Sequence, residues 1–232
     1  MVGKPRILIV YFLTIIIGYA LFVAPNLYFG IFKPAGGLTG LNFAAIGVFE
    51  LVTVCLLVRF SLKRLGRDFR FIGWDFSRWR RDTALGAALG LAWALVEMLL
   101  IIPQHGGAAE PNVARIIEGV DGEVAGMVGY MVLALIGGGI TEEILNRGFA
   151  INVLRSVFAN PKIGLWIASV FSMIIFMLGH MPVTALDWVT ILIPTVIYTV
   201  LFVGTGRLAA PIAAHAVHNA VVLAIIYAVY LP

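Results

Sequence analysis

Between Ile7 and Phe29 the chain carries no charged residue, and apolar stretches of similar length recur to its end. A bilayer span needs about 20 such residues. Within lipid, every backbone amide must find its partner inside the protein, which leaves helices as the economical solution. Of 232 residues, 61% are hydrophobic and 12% charged, with a mean hydropathy of +1.02. A soluble domain keeps roughly a quarter of its residues charged, so this chain cannot clothe a water-facing globule. The expected fold class is all-α: a polytopic transmembrane helical bundle of seven or eight spans, forming a single integral membrane domain over residues 1–232.

The apolar runs place spans near 7–29, 38–60, 84–103, 124–157, 163–180, 188–205 and 208–230. The first follows Lys4 and Arg6 as a signal sequence would, but its apolar stretch is too long for one and reads as a retained helix. The fourth would extend about 50 Å at 1.5 Å per residue. Gly137-Gly138-Gly139 are expected to break it, leaving room for an eighth, short or re-entrant span. Gly86-x-x-x-Gly90 and Gly36-x-x-x-Gly40 would let helices approach closely. Pro194 and Pro211 are expected to kink or start helices. Cys55, the single cysteine, lies in an apolar run, so neither a disulfide framework nor a CxxC site is available.

Charge orients the bundle. Eight of the 16 Lys and Arg fall between Arg59 and Arg81, interleaved with Phe and Trp. Such interleaving can stack on single-stranded nucleic acid. A cytoplasmic loop lying on the headgroups explains it better, because the flanking spans hold it at the bilayer. Lys4, Arg6, Arg155, Lys162 and Arg207 join that side if the N-terminus is cytoplasmic. Lys33 and Arg115 fall opposite, beside Glu110, Glu118, Asp121 and Glu123. The chain is therefore expected in a membrane, with lipid as a partner and no nucleic acid.

Against this apolar background stand three polar clusters: Glu142-Glu143-Ile-Leu-Asn-Arg147, Phe176-Met-Leu-Gly-His180 and His215-Ala-Val-His-Asn219. A charge at the centre of a membrane helix costs about 2.5–3.5 kcal/mol on the mildest scale, so such groups demand partners or a wet cavity. Glu143 and Arg147 have the spacing of an intrahelical ion pair. Glu142 points about 100° away and stays available. His215 and Asn219 share a face and present two donors suited to a developing oxyanion. Phe176 packs beneath His180, while His218 joins the cluster or faces another helix. Glu50 and Glu97, inside the second and third spans, are partnered structural acids or cavity-lining groups. A carboxylate with several histidines also describes a metal site. No H-E-x-x-H exists, but ligands from separate helices remain possible, and a glutamate base acting on water is the metal-free alternative.

At these residues the chain resembles the CPBP family, the CAAX protease and bacteriocin-processing membrane enzymes also called Abi. The family pattern E-E-x-x-x-R, F-x-x-x-H and H-x-x-x-N occurs here in order, and the resemblance covers roughly 120–230, making 120–232 a CPBP-like core behind N-terminal helices at 1–105. It implies an intramembrane endopeptidase whose catalytic core is formed by the C-terminal four helices. Glu142 and His180 would activate water, His215 and Asn219 would stabilise the oxyanion, and Glu143 and Arg147 would support the site. The resemblance favours this metal-free mechanism, with no cofactor, and implies a prokaryotic plasma membrane. A non-enzymatic bacteriocin self-immunity or scaffold protein, a metal-dependent membrane hydrolase and a proton-relaying transporter are the competing readings.

Overall fold

The computed structural model describes residues 2–32, 34 and 37–231. Seven helices among the described residues are long and apolar enough to cross a membrane. They are α1 (Lys4–Phe32), α2 (Asn42–Arg64), α3 (Trp79–His105), α5 (Val124–Arg155), α6 (Pro161–Gly179), α7 (Ala185–Thr205) and α8 (Ala209–Tyr230). A shorter helix, α4 (Pro111–Val120), lies between α3 and α5. No strand occurs among the described residues. The fold is a polytopic helical bundle with large apolar side chains turned outward, including Ile16, Ile31, Leu56 and Trp166. Lipid takes the place that a protein core would otherwise fill.

The buried core gathers around the C-terminal half of α5. Ile144, Leu145, Phe149 and Ile151 pack against Tyr11 of α1, Val54, Val58 and Leu62 of α2, and Ile72. Ile72 belongs to a single 3₁₀ turn that Asp68 caps by accepting from the backbone N–H groups of Arg70 and Phe71. Arg207 ties the turn before α8 to Asp82 of α3, with a second hydrogen bond of 3.0 Å. Gly86 and Gly90 of α3 bear directly on the carbonyls of Ala210 and Ala214 of α8, where any Cβ would collide with backbone. That is the close approach the small-xxx-small spacing predicts. Gly36 of the other such pair lies outside the described residues.

The expected break at Gly137–Gly139 does not occur. The fourth span is one continuous helix whose turns widen to π geometry over Leu133–Glu142 and Ile144–Ile151, and no eighth span is found among the described residues. Widened turns advance less per residue, so a long sequence fits one crossing. The glycines serve contact instead. A Cβ on Gly137 would strike the Glu50 carboxylate of α2, one on Gly138 the amide of Asn219, and one on Gly139 the backbone of Ala216. The basic loop is also shorter than expected. Helix α2 runs on to Arg64 and α3 starts at Trp79, so Arg59, Lys63, Arg64, Arg80 and Arg81 ride on helix ends. Arg64 and Arg67 lie over the rings of Phe60 and Phe71, each at 4.7 Å.

Alternation of the spans gives the bundle two unlike ends. The basic end carries the segment between α2 and α3, that between α5 and α6, and Arg207. The other end carries the start of α2, the end of α6 and α4. Helix α4 lays Val113 against Met98, Ile102 and Ile226 and is capped by Glu110, which accepts from the N–H groups of Asn112 and Val113. Asn112 also donates to Asp187 at 2.9 Å, and Asp187 completes a capping box with Thr184 at the start of α7. These contacts fix α4 over one side of the end that holds the cavities.

Candidate active site

Adjacent on α5, Glu142 and Glu143 enter different surroundings. Glu143 is fully buried. Its Oε1 accepts from Arg147 Nη1 at 3.0 Å and faces His215 Nδ1 at 2.9 Å. The Arg147 guanidinium lies 4.1 Å over the Phe176 ring and 5.5 Å from the Tyr198 ring, and donates to the Thr195 carbonyl at 3.4 Å. The His215 ring stacks on Tyr198 with centroids 4.6 Å apart. A buried pair of charges is tolerable only when hydrogen bonds replace the lost water; this cluster supplies several from three helices, while Glu143 Oε2 and Arg147 Nε are buried without a partner among the described residues.

Glu142 lacks such company. Its Oε2 is buried with no hydrogen-bond partner, and the side chain lines a cavity of about 510 Å³ shared with His180, Asn219, Asn146 and Glu50. A second cavity of about 340 Å³ lies on the other side of His180, Phe176 and Asn219, all of which also line the first. His180 follows the last turn of α6, where its Nδ1 meets the Phe176 carbonyl at 2.9 Å and its ring lies 4.5 Å from that of Phe176. The other ring nitrogen is left for the cavity. The helix ends there because Met181 adopts a left-handed φ of 50°.

Both donors predicted on α8 converge on one spot. A Cβ built on Gly138 would lie 2.9 Å from Asn219 Nδ2 and 3.6 Å from His215 Nε2. Asn219 gives one N–H to the Ala134 carbonyl at 2.9 Å and has a second. His215 directs Nδ1 to Glu143 and leaves Nε2 toward the site. With the carboxylate accepting from Nδ1–H, the Nε2 of a neutral ring is an acceptor, and it donates only as the imidazolium.

The sequence profile of the family described as Type II CAAX prenyl endopeptidase Rce1-like matches residues 124–221. Over these residues the chain is similar to the Rce1-like CAAX protease family. No curated protein and no solved structure matches the chain. The Rce1-like segment begins at the first residue of α5, ends two residues after Asn219, and so contains all three polar clusters. It supports a CAAX-protease-like membrane endopeptidase in general, with a peptide or protein substrate.

Of the remaining predicted residues, His218 faces away from Gly138. Its Nε2 meets Glu97 Oε2 at 2.7 Å and its Nδ1 meets the Tyr198 hydroxyl at 3.1 Å, along the second cavity. Glu97 is thereby a partnered acid, whereas Glu50 lines the first cavity. Sequence reasoning missed Asn146, Tyr19 and Ser172. The Tyr19 hydroxyl donates to Asn146 Oδ1 at 2.8 Å, Asn146 Nδ2 donates to the Glu142 carbonyl at 3.0 Å, and Ser172 donates to the Asn146 carbonyl at 2.6 Å. Asn146, one turn past Glu142, was the available signal: an amide in a span needs a partner. Among the described residues, no three His, Cys, Asp or Glu side chains form a group able to hold a metal ion.

Proposed function

We propose that the chain is an intramembrane glutamate-type endopeptidase in which Glu142, with His180, activates water. The observation carrying this reading is the contrast within one dipeptide: Glu143 is tied to Arg147 and His215, while the neighbouring carboxylate is unpaired on a cavity it shares with His180 and Asn219. Glu142 takes a proton as the water oxygen attacks the peptide carbonyl carbon. The oxyanion that forms lies over Gly138, where Asn219 Nδ2–H and a protonated His215 Nε2–H donate to it. The C–N bond then breaks, and the leaving amine takes the proton from Glu142, regenerating the carboxylate. Glu143 balances the imidazolium, and Arg147 holds Glu143.

The cavity lies at the end of the bundle away from the Arg-rich segment between α2 and α3. By the positive-inside rule that end is extracytoplasmic and the N-terminus cytoplasmic, so peptide enters from outside. The test is hydrolysis of a quenched-fluorescent peptide library by protein in liposomes. Glu142→Gln and His180→Ala should each abolish cleavage while the protein remains inserted and monodisperse in detergent. Cleavage by Glu142→Gln at the wild-type rate removes the proposed base.

A further inference from the structure

Glu50 has no part in the chemistry above, and its surroundings are unusual for a buried acid. It lies on α2, 7% exposed, outside the segment that the family profile matches. A carboxylate at this depth ordinarily has a cation or several donors against it. Among the described residues no hydrogen bond or ion pair reaches its side chain, which lines the larger cavity. Space for it is built in, since Oε2 occupies the room left by the absent Cβ of Gly137.

Among the described residues no Lys or Arg is placed to pair with this acid. Arg147 is bound to Glu143, and Arg115 lines the second cavity rather than the first. Among the described residues the wall of the larger cavity therefore carries two acids, Glu50 and Glu142, and no Lys or Arg, with apolar lining from Val23, Leu133 and Val222. The second cavity has no such one-signed character, because Arg115 sits there with Glu97 and Asp187. A ligand that suits the first is a flexible apolar stem ending in a cation: the stem follows the aliphatic wall and the head makes a charge-assisted hydrogen bond to the acid.

We propose that Glu50 is the specificity-determining group of a subsite for a lysine or arginine side chain close to the scissile bond. The scissile bond rests on the peptidase reading; the subsite can be measured apart from it. Two quenched peptides differing only as lysine against norleucine are compared in liposomes containing the full-length protein. Lysine should raise kcat/KM at least about tenfold, and Glu50→Gln should bring that ratio close to one. The same pair, dansylated, is then titrated by anisotropy against wild-type and Glu50→Gln protein in detergent, where the preference should appear without turnover. If Glu50→Gln does not fold, competition on the wild type decides: n-hexylamine should displace the lysine peptide and 1-hexanol should not. An unchanged ratio in Glu50→Gln, or equal displacement by amine and alcohol, overturns the subsite. Lysine-selective binding without hydrolysis keeps the subsite and ends the peptidase reading, and hydrolysis indifferent to charge does the reverse.

Discussion

Two faces of α5, one residue apart, show how a membrane protein handles acids. On one face Glu143 is paired through Oε1 with Arg147 and His215, whose side chains lie against the rings of Phe176 and Tyr198. On the other, Glu142 opens on a cavity, and among the described residues no hydrogen bond or ion pair reaches its carboxylate. The first arrangement lowers the cost of burying charge, and the second leaves that cost in place. Under the proposed peptidase reading, the supporting and the reacting carboxylate differ by their partners and not by residue type.

Substitutions can break this contrast in order of expected size. Glu142→Gln should lower kcat by about 10²–10⁴-fold, the range for loss of a general base, with no fall in the thermal unfolding midpoint in detergent. Arg147→Ala should act in the opposite sense. Removing one partner of a buried ion pair costs about 3–5 kcal/mol, here leaving Glu143 with His215 alone, and is read as a lowered midpoint and poor recovery of folded protein. If the two variants exchange these signatures, the roles drawn here for the glutamates are reversed. Asn219→Ala should reduce kcat by about 2.7–4 kcal/mol in barrier with little change in KM. The smallest effect is expected from Gly138→Ala, whose methyl would press on the Asn219 amide. Overpacking of that kind costs about 1–3 kcal/mol, and it should appear in kcat more than in the midpoint.

Much of this was legible in the sequence. Long uncharged runs dictated membrane helices, because lipid offers the backbone no other partner. The four-residue spacing of Glu143 and Arg147 announced their ion pair, and that of His215 and Asn219 their shared face. What could not be read was tertiary. Gly137–Gly139 looked like a break because glycine weakens an isolated helix, yet each glycine admits a group from α2 or α8, and packing outweighs propensity. Helix α4 falls between the expected spans at 84–103 and 124–157, its Val113 finding apolar partners on α3 and α8 that are distant in sequence. Asn146 gave a local hint, but its partners Tyr19 and Ser172 lie on other helices, and no spacing rule links them.

The seam between α3 and α8 has a bearing on how this protein meets different membranes. Gly86 and Gly90 touch the α8 backbone at Ala210 and Ala214, the latter one residue before His215, with no side chain between that could flex. When lipid thickness changes, helices tilt to match it, and two helices seated backbone to backbone tilt as one piece. His215 and Asn219 then travel with α3 instead of sliding along it, which insulates their spacing from the lipid composition around them.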